Sequence, residues 1–259
     1  MNKKDQELVE FLSMMNSDFI IENSKEVRTT AYYETFPETT IEYFRRFMEL
    51  GIIEPGMKFI DLGAGLGLPT ISAAHIGLVA GGIEYNPTLA RGAQELIALT
   101  RKVGLLLPET ICKVVKGSYF PIEYSAIRFN NGSIAQQHEK EVSEWIVDNE
   151  IRLIPESSNH DVYADLGIKL EEADVVFAYT WDVQTPSVLE IFAEYTKQNA
   201  ILIHKSAFET PMTREAISDL KLKRNITPIK GENSPFYIVT KKEQRKSLMS
   251  KLYTSFKIA

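Results

Sequence analysis

Apolar residues recur at helical intervals through the first fifty positions. Leu8, Phe11, Leu12 and Met15 share one face of a helix predicted over residues 5–16. Ile41, Phe44, Phe47 and Met48 share one face of a second, predicted over 40–50. Thr39 followed by Glu42 marks a capping box at its start, and Gly51 marks a stop. The period then changes. Lys58–Leu62 reads as a strand, followed by a glycine turn and a helix starting near Pro69, a residue suited to the first helical turn. Leu78–Tyr85 reads as the second strand. Asn86 and Pro87 then cap and open a helix whose apolar face is Leu89, Ala93, Leu96, Ile97 and Thr100. Further strands are predicted at 111–116, 173–179, 200–204, 226–229 and 236–240, with helices at 186–197 and 212–219.

Alternating strands and helices predict an α/β fold: a three-layer sandwich around a mostly parallel seven-strand sheet. The last two strands are separated by Gly231-Glu232-Asn233, which predicts a closing hairpin and an antiparallel strand at the sheet edge. An N-terminal helical segment, 1–55, would precede the main domain, 56–259. One region breaks the alternation. Between Phe120 and Asp174 lie more than fifty residues where one helix would suffice. Asn130-Asn131-Gly132 makes a hairpin turn between Ile127-Arg128-Phe129 and Ser133-Ile134-Ala135, and Val142, Trp145 and Ile146 fit a helix after it. Residues 121–165 therefore read as an insertion between strands 3 and 4, either a cap over a site or a surface elaboration.

Composition narrows the function classes. The chain has 259 residues and a formal net charge of −6, which disfavours non-specific binding to nucleic acid or anionic membrane. The lone cysteine, Cys112, makes no internal disulfide and no Cys-based zinc site, and it fits a reducing, cytoplasmic setting. Lys3 and Lys4 are not followed by an apolar stretch, so no secretory signal is expected. Leu62–Ile83 carries no charge and is long enough to span a bilayer. Its six glycines and Pro69 read instead as strand, turn, helix and strand. The four histidines (75, 138, 160, 204) show no metal-ligand spacing, and basic runs near Lys221 and Lys241 read as solvated faces.

The chemistry is concentrated in Asp61-Leu-Gly-Ala-Gly-Leu-Gly67, between a strand and a helix. Glycines there permit a tight turn and close approach of a ligand to the backbone. Seventeen residues after Gly67, at the end of the next strand, stands Glu84, where a carboxylate can accept both hydroxyls of a ribose. The alternative for Asp61 and Glu84 is ordinary strand-end acids. A dinucleotide fingerprint would need glycine at 68, where the chain has Leu68.

The spacing G-x-G-x-G, with an acid two residues before the first glycine, resembles motif I of the class I S-adenosylmethionine-dependent methyltransferases. The resemblance runs in strand order from Gly56 to Lys205, with the insertion as a departure. It implies a Rossmann-like fold, S-adenosyl-L-methionine as cofactor, and methyl transfer as the activity. By position, Asp61 would lie near the methionine amino group. Gly63, Ala64, Gly65 and Gly67 would line the methionine and ribose portions. Glu84 would hold the ribose and Tyr85 would flank the adenine. Ser118, in Gly117-Ser118-Tyr119, would contact the adenine; a rival alignment uses Asn159 or Asp161. Tyr179 would lie beside the cofactor, and with Tyr33, Trp181 and Asp182 it would line the acceptor site.

Asp182 is a candidate base or acceptor-holding group, and His204 is either a general base or a satisfied strand-end histidine. No Asn/Asp-Pro-Pro-Tyr/Phe sequence follows strand 4, which weakens DNA adenine or glutamine methylation. No acid cluster follows strand 5, which weakens a magnesium-dependent catechol-type site. The expected acceptor is a small molecule or a protein side chain, with nucleic acid and membrane disfavoured. The competing class is a nucleoside-binding protein without transfer activity.

Overall fold

The computed structural model describes residues 1–25, 35–122, 160–180, 184–206, 226–230 and 237–241. In chain order its elements are α1 (Lys3–Glu22), α2 (Pro37–Glu49), β1 (Lys58–Leu62), α3 (Leu68–His75), β2 (Val79–Glu84), α4 (Pro87–Lys102), β3 (Cys112–Lys116), α5 (Val162–Leu166), β4 (Val175–Thr180), α6 (Thr185–Tyr195), β5 (Ile201–Ser206), β6 (Ile226–Lys230) and β7 (Tyr237–Lys241). The strands lie in the order β3-β2-β1-β4-β5-β7-β6. The first five are parallel. β7 runs antiparallel to both neighbours, so the antiparallel strand sits one place in from the edge, which β6 forms.

Side-chain alternation sorts the sheet into two buried faces. Phe59, Val175, Phe177, Ile201 and Ile203 face α1 to α4, whereas Ile60, Leu62, Val176, Ala178 and Leu202 face α5 and α6. This is a Rossmann-like α/β arrangement, with parallel strands covered on both sides. The N-terminal helices belong to the same core. Phe44 of α2 meets Phe59 and Phe177 edge-on, with ring centroids 5.6 and 5.9 Å away. α5 packs on β2 and β3, the place of a crossover helix.

The helix starts differ from expectation. α1 begins at Lys3, capped by Asn2, whose side chain accepts the Asp5 N–H while the Asp5 carboxylate accepts the Asn2 N–H; it runs on to Glu22. α2 begins at Pro37 rather than at a Thr39 cap. Proline's fixed φ is already helical, so the helix opens two residues earlier, and the Thr40 hydroxyl donates to the Phe36 carbonyl at 3.0 Å. The elements expected at 127–135, 142–146 and 212–219 lie outside the described residues. Among the described residues, no helix is long and apolar enough to cross a membrane. The uncharged stretch from Leu62 to Ile83 is divided among strand, turn, α3 and β2.

One buried ion pair fastens α1 to its neighbours. The Arg45 guanidinium donates to both Asp5 oxygens, at 2.7 and 3.1 Å, and His75 places Nε2 3.1 Å from the same carboxylate. Burial by itself would raise the Asp5 carboxyl, but the hydrogen bond and charge of Arg45, with Asn2 and His75, outweigh it and hold it below its ordinary value. Asp5 therefore contributes stability that is present above the ordinary carboxylate range and lost as pH falls through the lowered folded value. Asp5→Ala leaves the partly buried Arg45 and His75 without their carboxylate and should lower unfolding free energy by about 1–3 kcal/mol. Chemical denaturation near neutral pH checks the loss, and the variant should lose less than wild type on acidification.

Candidate functional site

The turn after β1 is built by glycines in the left-handed region: Gly63, Gly65 and Gly67 have φ of 81°, 55° and 74°. Side chains larger than hydrogen are strained there. The turn is laced to the end of β2, because the Gly63 and Ala64 N–H groups both donate to the Ile83 carbonyl, at 3.0 and 2.9 Å. Gly67 then caps α3. Gly82 lets the turn settle this low. A Cβ at that position would stand 2.7 Å from both Ala64 Cβ and Thr70 Oγ1.

Two buried carboxylates flank the turn. Glu84 accepts the Gly65 N–H on Oε2 and the Asn86 N–H on Oε1, both at 2.7 Å. Burial raises its pKa, opposed by the N–H groups of Asn86, Gly65 and Tyr85. Asp61, 1% exposed, accepts the Thr70 hydroxyl at 2.9 Å. Its carboxyl is pushed up to about 7, first by burial and further by the Glu84 charge, against the Thr70 hydrogen bond. No cation among the described residues offsets either acid. Asn86 caps α4, accepting from Thr88 and Leu89.

The segment after β3 approaches the same turn. Ser118 is buried, and its hydroxyl accepts the Phe120 N–H at 3.3 Å. Tyr119 is also buried, and its hydroxyl has no hydrogen-bond partner among the described residues. Its ring edge lies 4.0 Å from where a Gly63 side chain would begin. Burial, then the Glu84 charge, drives its pKa well above that of an ordinary phenol. Tyr163 of α5 pins this segment by donating its hydroxyl to the Tyr119 carbonyl at 2.6 Å. Asp161 is occupied as the cap of α5, accepting from Tyr163 and Ala164 at 3.0 and 3.2 Å. Tyr85 stands 47% exposed at the end of β2.

At the ends of β4 and β5, Tyr179 and Lys205 are register partners, with the Lys205 ammonium 4.6 Å from the Tyr179 ring centroid. On the opposite sheet face, His204 Nε2 lies 3.0 Å from the Thr180 hydroxyl and 3.4 Å from that of Thr185. The histidine is wholly buried. Tyr33, Asn159, Trp181 and Asp182 lie outside the described residues. The Cys112 thiol is buried, and burial pushes it up to about 12, which leaves it unreactive. Among the described residues, no cluster of three or more His, Cys, Asp or Glu is placed to hold a metal.

Sequence reasoning passed over Thr70, Gly82, Tyr119 and Lys205. A glycine inside a strand does signal close backbone approach. Thr70 and Tyr119 had no signal apart from their neighbours in space.

Two tests follow from this geometry. Asp61 titrates at about 7 in the fold against its ordinary 3.8, so its protonated form favours folding. That contribution is complete below the ordinary value and is lost as pH rises through about 7. The melting temperature of the ligand-free protein should therefore fall between about pH 4 and pH 8, and Asp61→Asn should flatten the slope. Gly82→Ala should lose about 1–3 kcal/mol by wedging the turn away from β2, measured by urea unfolding.

No protein-family model and no curated protein matches the sequence. Solved structures similar in fold include three that name methyl transfer. The ribosomal protein L11 methylase of Lactobacillus delbrueckii subsp. bulgaricus is 12% identical with a TM-score of 0.46, over 80% of this chain and 77% of that one. An RNA methyltransferase of Salinibacter ruber, in complex with S-adenosyl-L-homocysteine, is 15% identical with a TM-score of 0.43, over 80% and 90%. A Pyrococcus horikoshii protein assigned as an RNA methyltransferase is 16% identical with a TM-score of 0.49, over 93% and 98%.

Proposed function

We propose that this chain is a class I S-adenosylmethionine-dependent methyltransferase, on that family's seven-strand sheet, acting on a small molecule or a protein side chain. The observation that carries the reading is the pair of buried carboxylates, Asp61 and Glu84, flanking a glycine turn with no described cation beside them. A ligand bearing positive charge and hydroxyls relieves both acids. A pyrophosphate would bring negative charge against them. S-adenosylmethionine offers an ammonium, a sulfonium and a ribose diol.

The donor set fits that ligand. Glu84 accepts backbone N–H groups of Gly65, Asn86 and Tyr85, and a carboxylate with about four lone-pair sites still has acceptor capacity for a ribose hydroxyl. Asp61 accepts the Thr70 hydroxyl on Oδ2 and the Thr70 N–H, and an ionised carboxylate has acceptor capacity left for an ammonium. Gly63, Ala64, Gly65 and Gly67 keep the backbone open to close approach. The unpartnered Tyr119 hydroxyl is the polar group that would meet the adenine edge, with Ser118 and Tyr85 beside the ring. When bound, the cofactor supplies a methyl carbon already activated for displacement by its sulfonium. The protein's share of the work is to orient, to exclude water and, where the acceptor needs it, to take a proton. Tyr179, Trp181, Asp182 and Tyr33 are the residues proposed for the acceptor side, with Asp182 as proton acceptor or acceptor-holding group. The single buried thiol is in keeping with a cytoplasmic setting.

Calorimetric titration with S-adenosylhomocysteine tests the reading. Wild type should bind in the micromolar range, and Glu84→Ala should lose about 1.5–3 kcal/mol of binding. Tyr119→Phe separates ligand contact from scaffold. It should raise ligand-free stability by up to ~1–2 kcal/mol, since a buried unpaired hydroxyl is removed, while weakening binding. Folded, ligand-free wild type that takes up no S-adenosylhomocysteine would refute the proposal. With binding in hand, methyl incorporation into an acceptor separates transfer from simple nucleoside binding.

A further inference from the structure

The rim formed by the ends of β4 and β5 carries a cation that the cofactor reading does not use. Lys205 is partly buried and lies on the same sheet face as Ile201 and Ile203, the face that also carries Asp61 and Tyr179. Its ammonium rests over the Tyr179 ring, 4.6 Å from the centroid. Burial accounts for the lowering of its pKa, and no carboxylate among the described residues acts against it. A partly desolvated ammonium whose one contact among the described residues is a ring face has donor capacity to spare, and an oxyanion is the group that would complete it. The position matters as much as the charge. In a parallel sheet of this kind, ligands lie outside the carboxyl ends of the strands, at the crevice where strand order reverses. Here that crevice lies between β1 and β4, and Lys205 stands one strand beyond it, displaced from the Asp61–Glu84 half of the site.

We propose that Lys205, held over Tyr179, recognises an anionic group on the methyl acceptor, so that the substrate is a small molecule bearing a carboxylate or phosphate. This rests on the methyltransferase reading for the word acceptor, but the anion site itself does not depend on it. The ring holds the ammonium on one side, so that N–H bonds on the other side would donate to the oxyanion. An acid at this point would also be kept apart from the two cofactor-side carboxylates that would repel it.

The test uses inorganic phosphate and succinate as probes, titrated by NMR into protein carrying 13C-labelled lysine, with and without saturating S-adenosylhomocysteine. The Lys205 signal should shift with millimolar affinity for at least one probe. Lys205→Met should bind about tenfold more weakly or worse, and Lys205→Arg should retain most of the affinity. Methionine keeps the packing on Tyr179, so Lys205→Met should melt no lower than wild type, and that measurement guards against misfolding. S-adenosylhomocysteine affinity should stay within about twofold in both variants. An unmoved Lys205 signal, or equal probe binding by Lys205→Met, overturns the proposal. A large loss of S-adenosylhomocysteine affinity in Lys205→Met also overturns it, because the lysine would then read the cofactor's own carboxylate. If wild type shows the anion response but binds no S-adenosylhomocysteine, the methyltransferase reading fails while the anion site stands.

Discussion

Both oxygens of the Glu84 carboxylate are committed to backbone, one to Gly65 in the turn after β1 and one to Asn86 at the start of α4. This clamp sets the geometry of everything near the strand ends. It holds the glycine turn against β2, so that Ala64 and Thr70 reach the space left by Gly82. Thr70 in turn bonds Asp61, which would otherwise be a buried charge without a partner. The arrangement is costly when no ligand is present, since burial raises both carboxyls and the Glu84 charge further opposes ionisation of Asp61. Strain of this kind is tolerated where a ligand relieves it, and ordinary structural acids are seldom placed so.

The rest of the molecule supports that clamp at a distance. Phe44, Phe59 and Phe177 lock α2 onto the centre of the sheet, and the Asp5–Arg45–His75 cluster ties α1 to α2 and α3. α3 begins at the glycine turn, so its seating by the N-terminal helices bears on the site directly. On the other face, α5 pins the segment after β3 through Tyr163, which keeps Tyr119 against Gly63. The helices that flank the site therefore act as its scaffold from both sides of the sheet.

Across the strand ends, charge is divided. The acids stand at β1 and β2, and the partly desolvated ammonium of Lys205 stands at β5. A cationic nucleoside on one side and an anionic acceptor on the other would each meet the opposite sign. Tyr179 lies between them in strand order, with its ring already facing the lysine. Such a division would steer ligands of opposite charge to opposite ends of the strand row.

The strands, the glycine turn and the acid at the end of β2 were legible in the chain because each rests on local rules. Alternation and apolar runs mark buried strands, and Asn86 before Pro87 marks a helix start. Asp61, the three glycines and Glu84 fall within one strand–turn–helix–strand unit whose order the sequence states outright. Local rules also misplaced the start of α2, where Pro37 outweighed a Thr39 cap. What only the tertiary structure decided is partnership at long range. Thr70 reaching Asp61, Tyr119 buried with its hydroxyl unmet beside Gly63, and Lys205 resting on Tyr179 join residues on different strands and helices. No spacing along the chain encodes these pairings, because they arise only when strand register sets which side chains share a face and how close two backbones can come.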